Sequence, residues 1–174
     1  MQKIGKYTIF KTKWGYFGLA GTESGLCRTQ LPGPDLKKIE SKLLKNLPHA
    51  QFDATFFKIL QKQIAVYFEG SCVNFSSDVP VVLDGFGSFS SKVLTACRNI
   101  RFGETISYAG LAKKAGRPAA SRAVGNALAK NPLPLIIPCH RVLRTDGKLG
   151  GFSAPGGISF KKRMLALEHK ALKA

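Results

Sequence analysis

No stretch of this sequence approaches the ~18–20 consecutive apolar residues that a membrane-crossing helix needs. The N-terminal stretch MQKIGKYTIFKTKWGYFG also lacks the apolar centre and small-residue cleavage site of a secretory leader, so a protein of the cytoplasm, or of the nucleoid or nucleus, is expected. Paired cysteines are missing as well. Cys27, Cys72, Cys97 and Cys139 are scattered with no C-x-x-C, which predicts free thiols rather than a disulfide framework. Of the histidines His49, His140 and His169, only His140 adjoins a cysteine, so no zinc or other metal site is predicted. There is no internal repeat and no low-complexity tract. Acidic residues are few, 10 against 27 Lys and Arg, for a net charge of +17 over 174 residues.

That charge is unevenly placed. Residues 1–86 carry 11 basic and 7 acidic side chains, whereas residues 87–174 carry 16 and 3. A polyanion-binding surface in the second half is the natural expectation, although charge alone does not separate DNA from RNA or acidic lipid. The apolar patterning agrees with two units, predicted as 1–78 and 87–174 with a linker at 79–86. Residues 7–31 read as short strands broken at Gly15, Gly21 and Gly25, an antiparallel meander. A helix is predicted from about Asp35, with Leu36, Ile39, Leu43, Leu44 and Leu47 on one face. Another spans about Ala54–Phe68, capped by Asp53 and closed by Gly70.

The second half reads as mainly helical. A helix over Phe89–Asn99 precedes YAGLAKKA, which Ser107 caps and Gly116 ends. Pro118 is then expected at the first position of PAASRAVGNALAK. Two short helices joined by Gly116 and Arg117 resemble a helix-turn-helix. A buried strand over Leu135–Ile137, a Gly-rich loop and a C-terminal helix from about Ser159 follow. The expected class is α+β: a small N-terminal α/β domain with an antiparallel sheet, and a mainly helical, winged helix-turn-helix-like C-terminal domain.

On the helix after Pro118, Ala120, Val124, Ala127 and Leu128 form a packing stripe. The other side carries Ser121, Arg122, Gly125, Asn126 and Ala129, small residues apart from Arg122 and Asn126. Gly125 costs a helix interior ~1 kcal/mol relative to Ala, which close approach to another helix or to a nucleic-acid groove would explain. The flanking Lys113, Lys114, Arg117 and Lys130 favour the groove, through phosphate contacts.

The segment NPLPLIIPCHRV is the most informative. A cysteine in apolar surroundings is usually a packing residue. Here, however, Pro138 turns the chain out of an apolar run and sets Cys139 beside His140 and Arg141. A thiol is mostly protonated near neutrality and needs a basic partner to become a strong nucleophile. His140 reaches it through a turn or a bridging water. In SFKKRMLALEHKAL, Glu168 lies on the stripe of Phe160, Met164 and Leu165, with no cation three or four residues away. It either reaches solvent at the stripe's edge or is partnered from elsewhere. His140 is the predicted partner, one ring N–H donated to the carboxylate and the other nitrogen left to take the thiol proton.

FGETISYAGLA, SRAVGNALAKNP, PLIIPCHRV and GGISFKKRMLALE together resemble the O6-alkylguanine-DNA alkyltransferases, densely over residues 87–168 and only in layout before that. The resemblance implies a ribonuclease H-like N-terminal domain and a DNA-binding, alkyl-accepting C-terminal one. It implies irreversible single-turnover repair of O6-alkylguanine, and less efficiently O4-alkylthymine, in duplex DNA by a monomer without cofactor. Cys139 would accept the alkyl group, His140 would activate it through water, Glu168 would orient the imidazole and Asn131 would brace the turn. The helix with Ser121, Arg122, Ala123 and Gly125 would enter the minor groove, Arg122 filling the space of the flipped base. Tyr108 would push on the 3′ phosphate and donate to guanine N3. The Ser153 N–H would donate to O6, and the carbonyls of Cys139 and Val142 would accept from the exocyclic amine. Arg141 is grouped with the DNA-contacting residues.

The chain departs from that pattern at Gly151-Phe152-Ser153, where many members have Asn-Tyr-Ser or Gly-Tyr, and in the extra Ala154-Pro155. Three other readings are weaker. A lesion-binding protein without repair has tryptophan where Cys139 stands. A helix-turn-helix transcription factor leaves Cys139, His140 and Glu168 unexplained. A thiol hydrolase needs a thioester that water can open, which an S-alkyl cysteine is not.

Overall fold

The computed structural model describes residues 5–75 and 77–174, and these divide into two compact units, Met1–Val82 and Leu83–Ala174. The first is built on a four-stranded sheet of order β3-β2-β1-β4. Its strands are β1 (Lys6–Thr12), β2 (Gly15–Thr22), β3 (Gly25–Gly33) and the short β4 (Gln51–Phe52). The first three form the expected meander, Phe10 opposite Phe17 and Thr8 opposite Leu19. β4 adds itself parallel to β1, a pairing that two exposed residues give no means of anticipating.

Helix α1 (Leu36–Leu43) is capped by the Asp35 carboxylate, which accepts from the Lys38 N–H at 3.1 Å. It rests on β2 and β3 through Ile39 and Leu43, while Leu36 remains exposed. Helix α2 (Lys58–Glu69) begins four residues later than expected, because Phe57 takes a left-handed conformation (φ 52°). Asp53 caps only the turn before it, accepting from the Thr55 N–H and hydroxyl at 2.8 and 2.6 Å.

Alternation along β2 places the two helices on opposite faces. Phe17 stacks on Phe68 of α2, at 6.0 Å between ring centroids. Its neighbour Gly18 faces Leu43 of α1, where a Cβ would stand 2.8 Å from the leucine methyl. β2 is consequently buried from Phe17 to Gly21 without interruption, as a strand covered on both sides must be. The expected linker is in part tied down: the Leu26 N–H donates to the Pro80 carbonyl and the Val82 N–H to the Leu26 carbonyl, so 79–82 flank β3.

The second unit contains α3 (Ser88–Arg98), β5 (Ile106–Ser107), α4 (Tyr108–Lys114), α5 (Ser121–Ala129), a single 3-10 turn at Cys139–Arg141, β6 (Val142–Leu143) and α6 (Gly157–Leu172). Val93, Leu94, Cys97, Leu111, Val124, Leu128, Leu133 and Met164 make its core. Ser107 caps α4 as expected, its Oγ accepting from the Gly110 N–H at 2.9 Å. α5 starts at Ser121, not at Pro118. The Ala120 N–H bonds the Arg117 carbonyl, so Pro118 occupies the second position of a β-turn, where its fixed φ also suits.

The strand expected at Leu135–Ile137 does not form. Leu135 adopts φ 79°, which no strand accommodates, and the Ile137 N–H turns back to the Leu133 carbonyl. The segment is buried, but as a coiled turn. Among the described residues no helix is long and apolar enough to cross a membrane.

Candidate active site and nucleic-acid interface

The turn Cys139–Arg141 is held from three sides. β6, which follows it directly, pairs in parallel with β5, Val142 opposite Ile106, and so ties the turn to the start of α4. Asn131, just beyond α5, accepts from the Leu133 N–H at 3.0 Å. Its amide donates to the Ile137 carbonyl at 2.9 Å and to Cys139 Sγ at 3.2 Å. α6 closes the third side through Glu168.

Around Glu168 lies a buried polar cluster: His140 is 0 % exposed, Arg141 3 %, Lys161 0 % and Glu168 1 %. His140 Nε2 stands 2.7 Å from Glu168 Oε1. The Arg141 guanidinium straddles the same carboxylate, Nη2 at 2.9 Å and Nε at 3.1–3.2 Å, and gives Nη1 to the Ile100 carbonyl at 2.7 Å. The Gly103 N–H completes the set at 3.1 Å. Burial by itself raises the Glu168 pKa, but the hydrogen bond from His140 and the hydrogen bonds and charge of Arg141 prevail and bring it to about 2. Burial lowers that of His140, against the pull of Glu168, so the imidazole is neutral. A neutral ring beside an ionised carboxylate donates from Nε2, which leaves Nδ1 as an acceptor. Nδ1 is buried and has no partner among the described residues. Burial pushes the Cys139 thiol up, opposed first by the Asn131 amide and then by Lys161.

Cys139 opens onto a cleft of about 810 Å³. Ser121, Arg122, Gly125 and Ala129 of α5 form one wall, and Gly150 to Ser153 another. Tyr108 lies between them. Its ring would make ordinary contact, at 4.0 Å, with a Cβ at Gly125, whereas a Cβ at Gly150 would collide with its hydroxyl, so Gly150 must stay bare for the tyrosine to sit there. The Ser153 hydroxyl donates to the Ala129 carbonyl at 3.0 Å and pins the loop to α5. Arg122 and Ala123 are exposed, while Val124, Ala127 and Leu128 pack inward, the division that the helix pattern predicts.

The structure thus gathers Cys139, Tyr108, Ser121, Arg122, Gly125 and Ser153 at one cleft, with Asn131 against the sulfur and His140 and Glu168 behind it. Arg141 is the correction: grouped in sequence with the DNA-contacting residues, it is buried and occupied by Glu168 and Ile100. The Val142 carbonyl, an expected acceptor for the base, already accepts from Lys161 Nζ at 2.6 Å. Lys161 itself went unnoticed in the sequence. Its signal was available, since it lies seven residues before Glu168 and three before Met164, on the stripe that had to face the core.

Family models described as the ribonuclease-like domain and the DNA-binding domain of 6-O-methylguanine DNA methyltransferase match residues 6–82 and 88–170. A methylated-DNA–protein-cysteine methyltransferase of Methanosarcina acetivorans is 36% identical over 163 residues, covering 93% of this chain and 97% of the relative. One from Cricetulus griseus is 33% identical, covering 94% and 81%. The crystal structure of Mycobacterium tuberculosis O6-methylguanine methyltransferase superposes with a TM-score of 0.78 at 33% identity, over 97% of this chain and 94% of that one. The M. tuberculosis protein in complex with DNA gives 0.77 at 34% identity, over 95% and 94%.

Proposed function

The chain belongs to the methylated-DNA–protein-cysteine methyltransferase family, and from that premise we propose that Cys139 is the acceptor to which it transfers the alkyl group of O6-alkylguanine in duplex DNA. The observation that carries the assignment is the ordered chain behind the sulfur. Glu168 fixes the imidazole of His140 at 2.7 Å, and the neutral ring keeps Nδ1 free as a base.

The steps follow from that order. The thiol proton leaves to His140 Nδ1, directly or through water, and Sγ attacks the alkyl carbon. The S–C bond forms as the C–O6 bond breaks, and the electron pair passes to the guanine. A guanine anion is a poor leaving group unless its charge is met by donors, and in this reading the Tyr108 hydroxyl would donate to N3 and the Ser153 N–H to O6. The product is a thioether, which no group in the site can cleave, so each protein molecule reacts once. α5 is the element that meets DNA, its small-residue face lining the cleft and Arg122 projecting to take the place of the extruded base. The protein acts where the DNA is, and repair of O4-alkylthymine would use the same acceptor.

Intact-mass analysis after mixing with a duplex containing O6-methylguanine tests this. One methyl per protein, located on Cys139 and absent from Cys139→Ser, is expected. Repeated turnover, or a methyl group on another residue, contradicts it.

A further inference from the structure

Lys161 is fully buried on the inner face of α6, with Met164 and Glu168. An ammonium in such a place is costly unless an opposite charge stands near it. The Lys161 ammonium donates to a neutral group, the Val142 carbonyl at 2.6 Å, and lies 5.8 Å from the centroid of the Tyr108 ring. The buried carboxylate of this unit does not serve it, because Glu168 is paired with Arg141 and His140. The other acids of the unit, Asp84, Glu104 and Asp146, are exposed.

The charges facing this centre can therefore be counted element by element. Lys161 and Glu168 come from α6, His140 and Arg141 from the turn, Cys97 from α3 and Tyr108 from α4. Glu168 cancels Arg141, His140 is neutral, and Tyr108 is held protonated by burial. The charge left over is that of Lys161, whose pKa burial lowers and the two thiols pull back up. The groups whose ionisation could balance it are the two thiols, and burial holds Cys97 protonated. Cys139, in contrast, receives the Asn131 amide at 3.2 Å, a donor suited to a thiolate, and opens onto the cleft.

We propose that Lys161 is the buried counter-charge of the Cys139 thiolate: fastened to the Val142 carbonyl at the end of the nucleophile's turn, its ammonium makes the ionised sulfur, once His140 has passed the thiol proton on to solvent, the electrically neutral state of the cluster. Lys161 is thus a positioning residue that acts on the sulfur through its field and touches no substrate. The inference rests on the reading of Cys139 as the nucleophile. It has a corollary by linkage. Alkylation turns the thiolate into a neutral thioether, removes the counter-charge, and weakens the hold of Lys161 on its proton.

The test is the pH dependence of Cys139 carbamidomethylation by iodoacetamide in the full chain, read by peptide mass so that the exposed Cys72 does not interfere. Lys161→Met removes charge and hydrogen bond, whereas Lys161→Gln keeps a donor for Val142 and removes only the charge. Both variants should move the midpoint up by about one pH unit or more, which lowers the rate at neutral pH roughly tenfold. A wild-type midpoint in folded Lys161→Gln overturns the proposal. A second measurement needs no variant: the Lys161 side-chain resonance of 13C-lysine-labelled wild-type protein, titrated before and after methylation of Cys139. Its pKa should fall by about one unit or more on methylation, and an unchanged value overturns the proposal. If methyl transfer from DNA proved to end on another residue, the parent reading would fail, while the iodoacetamide midpoint would still report on Lys161.

Discussion

The two units bury different chemistry. Among the described residues of the first, the buried polar side chains are Thr8, Thr12, Thr29 and Gln61, none of which carries charge. In the second they are His140, Arg141, Lys161 and Glu168, all ionisable. The first unit fills its centre with Phe17, Leu19, Tyr67 and Phe68 around a strand covered on both faces. The second gives up part of its apolar core to a charge cluster directly behind the proposed nucleophile. Replacing such a cluster by packed hydrophobic residues is often neutral or stabilising, so its presence is better explained by what it does to Cys139 than by what it adds to folding.

The contrast is sharpest at Glu168. Glu168→Ala leaves Arg141 buried without its carboxylate and should cost about 3–5 kcal/mol in urea unfolding. Gln61→Ala in the first unit strands only the carbonyls of Ala54 and Phe56, and should cost about 1–3 kcal/mol. Equal losses would erase the distinction.

Acid should act through the second unit in particular. Glu168 has its pKa depressed from 4.5 to about 2, so its contribution is complete above 4.5 and disappears as the pH falls towards 2. His140 is held neutral below its usual 6.5, so the unfolded chain takes up that proton first and stability begins to fall as the pH drops through 6.5. Thermal melts between pH 7 and 3 should show this loss, and Glu168→Gln should flatten the lower part of it.

Smaller effects lie at the surface. Ser107→Ala removes the cap of α4 and should cost about 1 kcal/mol. Arg122→Ala should leave stability within about 0.5 kcal/mol of wild type. It should nevertheless weaken binding to duplex DNA and repair of it, while Cys139 keeps its reactivity towards a free-base substrate. Equal loss on both substrates would count against its placement in the DNA. Binding should also fall steeply with salt, because phosphate contacts release counterions.

What could be read in advance was local. Alternation gave away the meander, the cap at Ser107 and the inward stripe of α5 depend on residues a few positions apart, and Pro138-Cys139-His140 announces itself within three. Glu168 was legible for the opposite reason, a carboxylate on an apolar stripe with no cation in reach along its own helix. The errors share a cause too. An apolar run at 135–137 carries no sign of whether it is strand or coil, and Phe57 in a left-handed conformation delays α2 for reasons outside its own segment.

The sequence by itself determined most elements of the fold, the unequal division of charge and the candidate nucleophile with the histidine beside it. Only the tertiary structure decided which charges are buried together. Arg141 meets Glu168 across 27 residues and the Ile100 carbonyl across 41, and Lys161 reaches Val142 across 19. Desolvation depends on everything that packs around a group, so a basic residue that reads as a surface contact for DNA became the partner of a buried carboxylate. Another, unremarked on its helix, became the buried ammonium fastened to Val142, next to the turn that carries Cys139.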